Sequence, residues 1–190
     1  MRIYKGVPAS PGLVLGQVSR LERSYDTFNR NPHSPKKEQR LLENAISIAQ
    51  SELESMASRS ATSEQAIFMF QSMMLEDDGF MSEVRSYIAA GTGAAAAMQR
   101  VGQRFADQLS AMTDNPYLQL RSVDILDATQ RVINILGDRP RERLALDHPV
   151  ILAADRLMPS DLFSVPAGMI MGVITSRRPS GLRKTILLYN

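Results

Sequence analysis

An α+β fold, with an antiparallel helical bundle inserted into an incomplete α/β unit, is predicted by three features of this 190-residue sequence. Short apolar, β-branched runs bounded by Pro and Gly lie near both ends, the pattern of strands. Residues 34–137 carry apolar side chains at three- and four-residue spacing, the pattern of amphipathic helices. The interruptions between those helices are short, which makes neighbours run antiparallel. The expected division is 1–21 with 145–190 for the partial α/β part, 34–137 for the bundle, and 22–33 and 138–144 for linkers.

In chain order, "RIYKGVPASPGLVLGQVSRL" has two apolar runs, Ile3 to Val7 and Leu13 to Val18, split by the turn cluster "PASPG". Two strands around a tight loop are expected. Ser34 and Pro35 then start a helix, a side-chain cap followed by a residue preset for the first helical position. Leu41, Leu42, Ala45, Ile46, Ala49, Leu53 and Met56 give it one apolar face, and "SRSATS" ends it. A second helix runs from about Glu64 through "AIFMFQSMMLEDD" and breaks at Gly79; "FMSEVRSYIAA" follows, up to Gly91 and Gly93. "AAAAMQRVGQRFADQLSAM" makes an alanine-rich helix. Asn115 and Pro116 cap and open the last one, which ends at Gly137. The pattern then returns to α/β: "HPVILAAD" as a strand, a short helix from Pro159, and Met169 to Ile174 as a strand buried on both faces.

Composition narrows the function. The absence of Cys excludes disulfides, Cys-based metal sites and a thiol nucleophile, and two histidines leave little for a metal cluster. No apolar run reaches the length of a membrane span, and the N-terminus lacks the apolar core of a signal peptide, so a cytoplasmic protein without membrane contact is expected. The net charge of +2 comes from the tail residues Arg177, Arg178, Arg183 and Lys184. From Ser34 to Gly137 nine Lys/Arg face thirteen Asp/Glu, a balance that repels phosphate, argues against nucleic acid and suits a basic protein partner.

The densest candidate feature is "FMFQSMMLEDD", where Phe68, Gln71, Met74 and Asp78 share a helical stripe. One reading makes the Met and Phe bundle core and the acids a solvated helix end. The other notes that acids at a helix C-terminus oppose the macrodipole and that methionines suit adaptable docking surfaces, so a partner would explain the arrangement. His33 and His148 lack an acid, base and nucleophile arrangement and read as structural.

Taken in order, four motifs resemble one family, the phosphoenolpyruvate-protein phosphotransferases (Enzyme I of the bacterial sugar phosphotransferase system). These are "GVPASPGLVLGQV", "AIFMFQSMMLEDD", "NPYLQLRSVDILDATQRVINILG", and the pair "VILAADRLMPSDL" and "GVIT", spanning about residues 3–175. The resemblance implies a helical subdomain that docks the phosphocarrier HPr, inserted in a swivelling α/β subdomain of the phosphohistidine type. It implies docking residues Gln71, Met73, Met74, Asp77 and Asp78, with Tyr117, Leu118 and Arg121 opposite. The family moves a phosphoryl group from phosphoenolpyruvate to a histidine and then to HPr. It also carries a barrel domain, which binds magnesium and forms a homodimer.

Two departures follow from the same comparison. Gln71 stands in place of the usual histidine of the docking helix, and Leu162 where a Thr often lies. After "GVIT" the family continues into S-H-T-x-I-x-A-R, and gapless counting puts Arg183 where the reactive histidine belongs. A guanidinium is permanently protonated and not nucleophilic, so no catalytic residue is expected here, nor a metal or cofactor within these residues. The expectation is a monomeric, catalytically silent N-terminal portion that still docks HPr; the alternative is a non-catalytic helical carrier-binding or regulatory module.

Overall fold

The computed structural model describes residues 6–8, 10–21, 31–60, 62–137, 146–155, 157–163, 165–166 and 168–175. Their order is β1 (Val18–Leu21), α1 (Pro35–Ser58), α2 (Thr62–Glu76), α3 (Asp78–Ala89), α4 (Ala94–Ser110), α5 (Pro116–Leu136), β2 (Val150–Ala154), α6 (Pro159–Phe163) and β3 (Ile170–Thr175). The three strands form one parallel sheet in the order β1-β2-β3, so segments on either side of the five long helices meet in a single sheet. Val18 lies opposite Ile151 and Ala154 opposite Thr175.

Helix α1 starts at Pro35 as expected, but not by the expected cap. The Ser34 side chain makes no capping bond; its carbonyl accepts from Lys37 N and Glu38 N. The capping oxygens come from buried Glu38, whose carboxylate accepts from His33 N and from Ala94 N, each at 2.8 Å. Ala94 is the first residue of α4, so one side chain of α1 satisfies an orphan donor at the start of another helix.

The break after α2 falls at Asp77 rather than Gly79. Asp77 is the N-cap of α3, its Oδ1 accepting from Phe80 N at 2.7 Å, and Asp78 opens the first turn. Acids there favour the helix dipole. The expected dipole penalty for Asp77 and Asp78 is therefore absent, and only Glu76 remains at the end of α2. Helix α3 closes on Gly91 at φ +91°, with Thr92 N bonded to Tyr87 O and Gly91 N to Ile88 O. This paired ending requires a left-handed residue, which glycine adopts without a Cβ clash.

The bundle core joins Leu42, Leu53, Phe68, Leu75, Phe80, Ile88 and Met98, all with 2% exposure or less, and each stabilises the fold by about 1.5–3 kcal/mol through burial. Phe80 meets Phe105 edge to face, with ring centroids 5.1 Å apart. Helices α4 and α5 approach closely at Gly102, where an added Cβ would lie 2.3 Å from Thr129 Oγ1. No side chain fits between the two backbones without displacing Thr129.

The N-terminal strands are a correction. Residues 6–8 and 10–17 carry no strand, Ile3 lies outside the described residues, and only Val18–Leu21 pairs. Leu13 and Leu15 are 99% and 95% exposed, and Pro8 and Pro11 withhold amide donors that a ladder needs. Strand β3 is likewise not buried on both faces: Gly172 is its one buried residue and Ile174 is exposed. Its apolar cover comes from a small cluster of Leu152, Ala154 and Leu157 joined by Leu21, Leu162, Ile170 and Val173. Leu162 thus serves the sheet core.

Candidate functional site

Helix α2 is apolar nearly all round from Ala66 to Leu75, so packing decides which side chains face inward. Phe68, Gln71, Met74 and Leu75 are buried; Met69 and Met73, one turn apart, are 53% and 67% exposed. Met74, expected on the docking surface, is instead core. The exposed methionines are Met69, which sequence reasoning missed, and Met73.

The start of α5 comes to α2 through one cation. Asn115 caps the helix by accepting from Leu118 N, and Pro116 sets the first turn, which places Tyr117 and Leu118 at its rim. One turn on, Arg121 lies over Phe70 of α2 at 5.1 Å and over Tyr117 at 4.7 Å from the ring centroids. Its Nη2 donates to Tyr117 Oη at 2.7 Å and its Nη1 to Asp124 Oδ2 at 2.8 Å. Each aromatic face contributes about 0.5–2 kcal/mol to holding the guanidinium. Arg121 is buried, whereas Tyr117 remains exposed. The cation is thus a pillar beneath the surface that fixes the Phe70 and Tyr117 rings.

Burial works against the Arg121 charge, but its bonds to Asp124 and Tyr117 outweigh that and hold its pKa above the ordinary value. Burial pushes the Asp124 carboxyl up to about 6, opposed by Arg121 and reinforced by Asp127.

Behind this cluster a second polar group joins three elements. Buried Gln71 donates from Nε2 to Asp127 Oδ2 at 3.2 Å, and Ser160 N donates to the same oxygen at 3.1 Å. Ser160 Oγ donates to Asp127 Oδ1. Asp127 on α5 therefore ties α2 to the start of α6, which precedes β3. Gln71 is not a surface residue; its Oε1 has no hydrogen-bond partner among the described residues. Arg121, Asp124 and Asp127 recur at three-residue spacing within the motif "NPYLQLRSVDILDATQRVINILG", but nothing local shows that Asp127 reaches Ser160.

Of the expected set, Arg121 and Tyr117 are joined to each other and, through Arg121, to Phe70 of α2, while Met73 is exposed on α2 and Leu118 lies in the first turn of α5. Gln71 and Met74 are buried, and Asp77 and Asp78 sit exposed at the α2–α3 junction. His148 is exposed and pairs with Asp147 through Nδ1 at 2.5 Å; His33 is half-buried. Arg183 and the basic tail lie outside the described residues. Among the described residues no cluster of three His, Asp or Glu could hold a metal, and no helix is long and apolar enough to cross a membrane.

Five long helices thus stand between segments that share one parallel sheet, with an aromatic-clamped arginine between α2 and α5. Residues 5–121 match the family described as PEP-utilising enzyme, N-terminal, and the chain belongs to that family. Within it the similarity runs to phosphoenolpyruvate-protein phosphotransferases. A multiphosphoryl transfer protein of Rhodobacter capsulatus is 33% identical over 184 residues, covering 93% of this chain and 22% of that protein. The phosphoenolpyruvate-protein phosphotransferase of Lactococcus lactis subsp. lactis is 28% identical over 183 residues, covering 92% of this chain and 32% of the enzyme. The chain thus spans less than a third of the length of these relatives. Among solved structures, an N-terminal domain of "Enzyme 1 - Nitrogen" superposes with a TM-score of 0.60 at 26% identity, covering 91% of this chain and 76% of that one. A solution structure of "Enzyme I (nEIt) protein" gives a TM-score of 0.67 at 23% identity, covering 90% and 73%, which shows the shared fold.

Proposed function

We propose that this chain is the carrier-docking portion of a phosphotransferase-system Enzyme I: a helical unit of residues 34–137 set in an α/β subdomain of residues 1–21 and 145–190, joined by linkers at 22–33 and 138–144. The observation that carries the reading is the Phe70–Arg121–Tyr117 stack, which joins α2, the helix that exposes Met69 and Met73, to the start of α5. Met69, Met73, Tyr117 and Leu118 form the apolar contact, Asp77 and Asp78 its acidic margin, and Gln71, Met74 and Arg121 support it from below. The partner is an HPr-like phosphocarrier with a basic face, in the cytoplasm. Apolar contacts supply most of the affinity and the acids speed and orient encounter.

Chemical-shift mapping of labelled HPr against the chain tests this. Met73→Ala is expected to weaken binding by about 1–2 kcal/mol, the scale of an interface hot spot, and Asp78→Ala by less at physiological salt. Absence of any shift at high micromolar protein removes HPr as partner; a larger loss for Asp78→Ala overturns the apolar centre.

The same reading makes these residues catalytically silent, because Arg183 occupies the position of the reactive histidine. Incubation with phosphoenolpyruvate and magnesium, or with phospho-HPr, is expected to leave no acid-labile phosphate on the chain. Label on His33 or His148 would contradict it.

A further inference from the structure

We propose that Met69 and Met73 form an oxidisable pair through which peroxide switches off the docking face; the proposal rests on the docking reading above. The chain has eleven methionines and no cysteine, so thioethers are its only sulfur nucleophiles. Among the described residues they are buried, half-buried (Met56, Met169 and Met171) or exposed. Met74, Met81, Met98 and Met158 are buried, and the half-buried Met56 has its sulfur occupied, accepting from Arg131 Nη2 at 3.2 Å. Met69 and Met73 are exposed on consecutive turns of α2, beside Phe70, whose ring the Arg121 guanidinium holds in place. Met112, the third exposed methionine among the described residues, lies beyond the end of α4.

The step is balanced with hydrogen peroxide as oxidant. A sulfur lone pair attacks one peroxide oxygen, the S–O bond forms as the O–O bond breaks, and the departing hydroxide takes a proton to leave as water. Sulfur is oxidised to the sulfoxide and peroxide is reduced. The product replaces a flexible apolar side chain by a polar, chiral one, which an apolar contact cannot bury without desolvating the new oxygen. Methionine at these two positions therefore makes the face adaptable when reduced and repulsive when oxidised.

Peptide mass spectrometry of the full chain after mild peroxide treatment is expected to find Met69 and Met73 converted before Met74, Met81, Met98 and Met158. HPr binding by the treated chain should weaken about ten-fold, the loss of one hot spot. The double variant Met69→Leu with Met73→Leu keeps the apolar contact and should retain its affinity through the same treatment, whereas Met112→Leu should give no protection. The two stereospecific methionine sulfoxide reductases together should restore binding. Equal loss in the double variant, or unchanged binding with both sulfoxides present, overturns the switch while leaving the docking reading intact. An untreated chain that does not bind HPr overturns both.

Discussion

Asp127→Ala is expected to cost about 3–5 kcal/mol of folding stability, the range for removing one member of a buried charged network. The carboxyl accepts from Gln71 Nε2, from Ser160 N and from Ser160 Oγ, and Gln71 and Ser160 are fully buried. Truncation removes the partner of all three donors at once, each worth about 1–3 kcal/mol when left unsatisfied, with the sum reduced by relaxation. The loss should be uneven. Leu42, Phe80 and Met98 belong to the apolar core of the helices, which the substitution leaves in place, whereas α6 loses its bonds to α5. Amide exchange in residues 157–163 should rise further than in α4. Asp127→Asn should cost less, because an amide oxygen at the Oδ2 position still accepts from Gln71 Nε2 and Ser160 N, while the new NH2 can donate to the Ser160 hydroxyl. A urea midpoint for Asp127→Ala within about 1 kcal/mol of the parent would refute the role assigned to this carboxyl.

That network shows what could and could not be read from the chain. Helix starts set by local chemistry were legible: Pro35 for α1, Asn115 with Pro116 for α5, and Pro159 for α6. The strands at Val150 and Ile170 were legible from their β-branched runs between turn residues. Features that depend on long-range partners were not. Glu38 reads as a surface acid of α1 until Ala94 N is brought beside it. Leu13 and Leu15 read as strand, yet both are exposed and pair with no backbone among the described residues.

The candidate site fell between these cases. Its two halves, on α2 and α5, were marked by motif. The inward and outward methionines were not separable, because a helix apolar nearly all round carries no phase. Met73 and Met74 therefore both read as surface residues, of which only Met73 is exposed, and Met69 does not. Asp77 was misread for a different reason: it stands at both a helix end and a helix start, and only its bond to Phe80 N shows which it serves.

Between pH 4 and 7 the stability of the parent chain should fall relative to Asp124→Asn by about 3 kcal/mol. Burial raises the Asp124 carboxyl to about 6 from an ordinary value of 3.8, so in that window the folded state holds a proton that the unfolded state has released. Stability then decreases as pH rises, with a slope of about 1.4 kcal/mol per pH unit at full difference, and the two-unit interval sets the total. Above about pH 6 the folded carboxyl is ionised and the full cost of burying it is present; below about pH 4 both states are protonated and the cost vanishes. Other carboxylates contribute their own slopes, which is why the difference from Asp124→Asn is the quantity to measure. The variant itself loses the charge that faces Arg121 Nη1, but an amide oxygen can still accept from the guanidinium, and the Phe70 and Tyr117 rings still cover its faces. The variant should therefore lie closest to the parent's stability, or below it, at pH 4, where the folded carboxyl is itself neutral, gain on it up to about pH 6 and level off by pH 7. Urea titrations of both proteins at half-unit intervals test this, with the Asp124 carboxyl carbon followed by NMR. A carboxyl that titrates at or below 4, or a parent-to-variant difference that is flat across the window, would show that Arg121 compensates the burial of Asp124 in full.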